Sequence, residues 1–118
     1  MLNMDIYVKA FYRSPAAICV TSIEGHFIEV NESFCHLAGF NREEVIGRTS
    51  TELNLFTDPW DRNKALNLLN RHGSLKQHKS RLTRKDGGIR DCVRKVEIVD
   101  IDGKPGVLMM LLDVTSSF

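Results

Sequence analysis

At 118 residues, with 42 % apolar and 26 % charged side chains, the chain is long enough for one hydrophobic core and too apolar for wholesale disorder. Sixteen Lys/Arg against fifteen Asp/Glu leave a net charge of +1, which argues against a global field drawing in nucleic acid or membrane. The longest apolar run, Val107 to Leu112, is far short of a membrane span, and Met1 to Asp5 opens no secretory signal. Three cysteines, Cys19, Cys35 and Cys92, are an odd number with no Cys-x-x-Cys spacing, so they read as reduced thiols of a cytoplasmic protein.

In chain order, Leu2, Ile6, Tyr7, Ala10 and Phe11 recur at helical spacing. Ser14-Pro15 ends that helix, because the residue before proline is pushed out of the α region. Residues 16–23 and 26–30, rich in Ile, Val and Phe, form a β-hairpin about Glu24-Gly25. A short helix carrying Phe34, Cys35, Leu37 and Ala38 stops at Gly39. Asn41 and Glu44 have the spacing of a capping box, flanked by Phe40 and Val45 as a hydrophobic staple, and Gly47 closes the turn. Asp58-Pro59-Trp60-Asp61 starts a further helix that runs to His72-Gly73.

Three strands follow. Leu75 to Arg84 is polar on both faces, Arg90 to Val99 alternates, and Val107 to Val114 is apolar on both faces. Asp86-Gly87-Gly88 and Asp102-Gly103 mark the turns between them. A strand apolar on both sides belongs at the centre of a sheet, with each face covered. The fold class is α+β: an antiparallel sheet with helices inserted between its second and third strands.

Several stretches, in order, resemble the PAS family of sensory domains found in bacterial signalling proteins such as sensor histidine kinases and diguanylate cyclases. They are Ser14-Pro15-Ala16-Ala17-Ile18 through Gly25, Val30-Asn31-Glu32-Ser33-Phe34, and Gly39-Phe40-Asn41-Arg42-Glu43-Glu44-Val45-Ile46-Gly47. Arg84-Lys85-Asp86-Gly87, Asp102-Gly103 and Asp113-Val114-Thr115 complete the set. The resemblance implies a five-stranded antiparallel sheet in the order 2-1-5-4-3, whose concave face meets the inserted helices around a cavity. It divides the chain into a flanking helix over 1–13, the sensory domain over 14–115, and the start of a connector at 116–118. It also implies an output domain in the same polypeptide, beyond this segment, and a first helix that packs on the outer sheet face or pairs with a second copy as a homodimer.

The resemblance has cofactor-bearing branches that the residues can be held against. Where the flavin photosensors carry their adduct-forming Cys and ring-contacting Phe, this chain has Ser50 and Glu52, so flavin is not expected. His72 lies near the place of a haem-binding His, but Gly73 follows and puts it at a helix end, where it more often meets free carbonyls. No cofactor is expected, and His72 is the weak haem candidate. Cys35-His36, being adjacent, point to different helix faces and suggest no metal. No phosphate loop, nucleophile elbow or carboxylate pair suggests an enzyme.

Charge is unevenly spread. Residues 71–95 hold nine Lys/Arg and two acids, net +7, so the remainder carries −6. Without a helix-turn-helix pattern or interleaved aromatics, this reads as the solvated face of an edge hairpin rather than a nucleic-acid site. Within it, Cys92, Val96 and Ile98 mark the inward face of the fourth strand, and period two puts Arg94 there too. A guanidinium turned inward requires an anion, either an internal carboxylate such as Glu52 or Asp58, or a carboxylate or phosphate ligand. A three-residue Asp86-Gly87-Gly88 turn sets His78, Ser80 and Leu82 on the same face; a two-residue turn would set Lys79 against Arg94, which like charge disfavours. The expected ligand-binding residues are Arg94, Cys92, His78, Ser80, Phe34 and Trp60. The expected function is a non-enzymatic sensor that binds a small molecule or partner and relays the change, with a ligand-free dimerisation module as the alternative.

Overall fold

Ser14-Pro15 ends the first helix as its sequence requires: α1 spans Met4–Arg13 and stops one residue before Ser14. The computed structural model describes residues 4–56, 71 and 74–115, with backbone alone at 74–78. The helix expected from Asp58 to His72 falls outside the described residues save for Arg71. The remaining elements in order are β1 (Ala17–Ser22), β2 (Phe27–Val30), α2 (Glu32–Ala38), α3 (Arg42–Val45), β3 (Ser74–Thr83), β4 (Ile89–Ile101) and β5 (Lys104–Asp113). The strands form one sheet in the order β2-β1-β5-β4-β3, every neighbouring pair antiparallel.

The short helices are built from their caps. Asn31 opens α2 in an extended conformation and accepts the Phe34 N–H, and Gly39 closes it with φ +79°, a left-handed position that costs glycine little. Glu44 reaches back to accept the Asn41 N–H at 2.9 Å, which is the capping box at the start of α3. Arg84 then binds the end of α2 from across the fold, donating from Nε to the Leu37 carbonyl at 3.0 Å and from Nη2 to that of His36 at 3.2 Å. Those carbonyls lie in the last turn of a seven-residue helix, and the side chain just before the β3–β4 turn supplies their partner.

The core lies between the concave sheet face and the short helices. Phe34, Ala38, Val45, Leu55 and Leu82 are fully buried, with Cys19, Phe27, Val30 and Cys92 around them. Burying each large apolar side chain stabilises the fold by about 1.5–3 kcal/mol.

Two expectations are corrected here. The β3–β4 turn has three residues, but they are Lys85-Asp86-Gly87, since Arg84 N bonds the Gly88 carbonyl at 2.7 Å and Thr83 pairs with Ile89. Gly87 supplies the φ of +91° that the turn needs. Moving the turn by one residue shifts the register by two, so the inward set is unchanged while Ser80 pairs with Cys92. The second concerns β5, which is central as expected: among the described residues α1 does not cover its outer face, which leaves the expected pairing with a second copy untouched. Met110 and Leu112 are 37 % and 61 % exposed, and α1 packs against α2 with no buried residue.

Candidate functional site

The concave face brings Arg94 and Ser80 together. Period two along β4 turns Cys92, Arg94 and Val96 inward, and along β3 it turns Ser80 and Leu82 inward while Lys79 and Arg81 face solvent. Arg94 is 3 % exposed, the one buried cation among the described residues. Its Nη2 donates to Ser80 Oγ. Its guanidinium carbon stands 3.8 Å from the centroid of the Phe56 ring, a cation–π contact.

Phe56 is held in place by the segment after α3. The Leu55 carbonyl accepts the Thr83 N–H at 2.7 Å, and Phe56 bridges Leu82 on β3. The loop thereby adds an aromatic wall beside Arg94. No periodicity marks Phe56 in the sequence, and its role follows only from that non-local pairing.

Two buried thiols feel the Arg94 charge. Cys19 on β1 is pushed up to about 12 by burial, with the Arg94 charge opposing. Cys92 is pushed up to about 11, first by burial and then by Asp113, again with Arg94 opposing. Both are therefore thiols rather than thiolates near neutral pH, poor nucleophiles and poor metal ligands. The described residues contain no cluster of three or more His, Cys, Asp or Glu that could hold a metal ion.

The other expected site residues divide as follows. Phe34 is fully buried in α2 and packs on Phe27 in the core, ring centroids 5.5 Å apart. His78 is placed opposite Arg94 by strand register. Trp60 and the haem candidate His72 lie outside the described residues, as does Asp58, one of the two carboxylates considered for Arg94. Glu52 is exposed and bonded to Thr49, with Arg48 at 3.8 Å, so it is not the partner of Arg94. Ser50, at the position of the flavin-bonding Cys, offers a hydroxyl, and its carbonyl accepts the Leu55 N–H at 3.0 Å.

The basic stretch is spread along the edge strand β3 and its neighbour β4. Arg81 faces Asp91 at 3.4 Å, Arg90 faces Asp113 at 4.0 Å, and Lys85 bonds Glu44. These are exposed pairs, each worth little.

A family model described as PAS fold matches residues 6–114. Among solved structures, the PAS domain of a protein from Colwellia psychrerythraea is 22 % identical with a TM-score of 0.82, the match covering 95 % of this chain and 97 % of that one. The PAS domain of an HTR-like protein from Haloarcula marismortui is 23 % identical, TM-score 0.74, covering 92 % and 89 %. The PAS domain of a LuxR-family transcriptional regulator from Burkholderia thailandensis, solved in complex with ethanol, is 18 % identical, TM-score 0.75, covering 93 % and 98 %. No curated protein matches the chain.

Proposed function

This chain belongs to the PAS family, and from that premise we propose that it is a non-enzymatic sensory module whose concave chamber takes a small organic anion through Arg94. The observation that carries the reading is a buried guanidinium, lying over the Phe56 ring and hydrogen-bonded to Ser80, on the inner face of the sheet. A carboxylate or phosphate is the complementary group, because the fork of a guanidinium matches it in two parallel hydrogen bonds. Binding would favour one packing of the chamber wall and bias an output domain in the same polypeptide, as in two-component or cyclic-dinucleotide signalling. Three free thiols suit the reducing cytoplasm. Ser50 has no thiol for a flavin adduct, and the reading includes no cofactor.

Native mass spectrometry tests it. An adduct with the mass of an organic acid or phosphate supports the reading, and a bare mass after exposure to a metabolite extract contradicts it.

Dimerisation is a second reading with an observation of its own. Met4, Ile6, Tyr7 and Val8 on α1 and Met110 and Leu112 on the outer sheet face are all exposed apolar side chains. A homodimer in which these surfaces meet would bury both. The two readings are compatible, since a sensor can be dimeric.

A further inference from the structure

Asn31 is 1 % exposed and uses every hydrogen-bonding position of its amide. Its Oδ1 accepts from the N–H of Ile18 in β1 at 3.0 Å and of Phe34 in α2 at 2.9 Å. Its Nδ2 donates to the carbonyl of Phe11 in the last turn of α1 at 2.9 Å and to that of Ala16 at 2.8 Å. One side chain therefore joins the terminal helix, the strand after it and the first turn of α2. On the same turn of α2, Phe34 is driven fully into the core against Phe27. No residue of α1 is fully buried and only Phe11 and Tyr12 are half-buried, so polar bonds carry much of this helix's attachment to the domain. Among the described residues they include, besides Asn31, Tyr12 with Glu29, and just beyond the helix Ser33 Oγ donates to the Ser14 carbonyl at 2.5 Å.

We infer that Asn31 is a positioning residue that couples the chamber wall to the terminal helix: a displacement of Phe34 moves the first turn of α2, and Asn31 transmits it to the end of α1. The inference rests on the sensory reading for its purpose, though not for its test. The amide divides naturally into two halves. The oxygen holds α2 and β1, and the nitrogen holds α1 and the segment leading into β1. Asn31→Asp keeps an acceptor for the Phe34 N–H and removes both donors, so it cuts the connection on one side only. Asn31→Ser keeps a shorter cap acceptor and replaces the two amide donors by one hydroxyl too short to reach both the Phe11 and Ala16 carbonyls, and it serves if the buried carboxylate prevents folding.

Amide hydrogen exchange of the full chain, read by NMR, is the experiment. Asn31→Asp or Asn31→Ser should speed exchange in the last turn of α1 by about tenfold and leave the position-34 amide within about twofold. Phe34→Leu should speed exchange at the end of α1 by about fivefold in the parent and by less than about twofold when combined with either Asn31 variant, with the α2 response intact. Tyr12→Phe is the control. It loosens the same end of α1 without touching Asn31, so the response to Phe34→Leu should survive it. Additive effects of Phe34→Leu and the Asn31 variants overturn the inference, as does equal loosening of α1 and α2, or loss of the response in Tyr12→Phe. None of these measurements needs a ligand. The coupling can fail while ligand binding stands, and a missing ligand leaves the coupling intact.

Discussion

A guanidinium cannot shed its charge at any ordinary pH, so Arg94 must be compensated by its surroundings or by what they bind. Its burial beside Ser80 was legible in the sequence, because alternation along β4 and β3 fixes which residues turn inward once the parity of the turn is known. Phe56 was not legible, since its position depends on the Leu55–Thr83 contact and not on any local pattern. The two sources of compensation differ in what a substitution costs. If an internal carboxylate neutralises Arg94, Arg94→Met strands that carboxylate and costs about 3–5 kcal/mol. If the site is built for a ligand, Met keeps the contact with the Phe56 ring, and ligand-free stability falls by less than about 2 kcal/mol. Urea unfolding of the ligand-free chain distinguishes the two, and the larger loss would contradict the ligand-site reading.

At the scale of elements, the helix caps and the five strands follow from short-range chemistry. The capping box at Asn41, the glycine stop at Gly39 and the proline stop of α1 are each local rules that the fold obeys. The turn position and the bare outer face of β5 are not local. The first depends on the competition between Lys85-Asp86-Gly87 and its neighbour for the same hairpin, and the second on where α1 docks. That docking has a pH dependence of stated sign. Glu29 is held below the usual glutamate range, first by its bidentate bond with Arg42, at 2.8 and 2.9 Å, and then by the Tyr12 hydroxyl, against the opposing effect of burial. Its contribution is therefore full above the unfolded-state value and is lost as pH falls through the lower folded value. The Tyr12 phenol is raised, chiefly by the same bond to Glu29, so its contribution is full below its unfolded value and is lost only as pH rises through the raised one. In acid, the resonances of Phe11 and Tyr12 should shift before those of the core, and Glu29→Gln should flatten that transition. Simultaneous loss of α1 and core, or an unchanged profile in Glu29→Gln, would count against this attachment.

Across the whole molecule, near-neutral net charge hides a division: the β3–β4 side is basic, and the rest carries the balancing acids. The two apolar faces of β5 mark it in the sequence as the central strand, and among the described residues its outer face exposes Met110 and Leu112 while α1 exposes Met4, Tyr7 and Val8. Sequence periodicity shows that a face is apolar, not which molecule covers it. If two copies cover one another, light scattering should give twice the chain mass, and Leu112→Lys with Tyr7→Lys should return it to one. A monomer at high micromolar concentration would contradict that assembly. Among the described residues no helix is long and apolar enough to cross a membrane.

Whether Arg94 is placed to receive an anion is settled by a thermal-shift comparison. The chain and its Arg94→Met variant would be melted against a panel of small carboxylates and phosphates with matched neutral analogues. At least one anion should raise the melting temperature of the parent in a saturable way, its neutral analogue should not, and Arg94→Met should abolish the rise. An anion that stabilises both proteins equally, or a panel that stabilises neither, would contradict that placement.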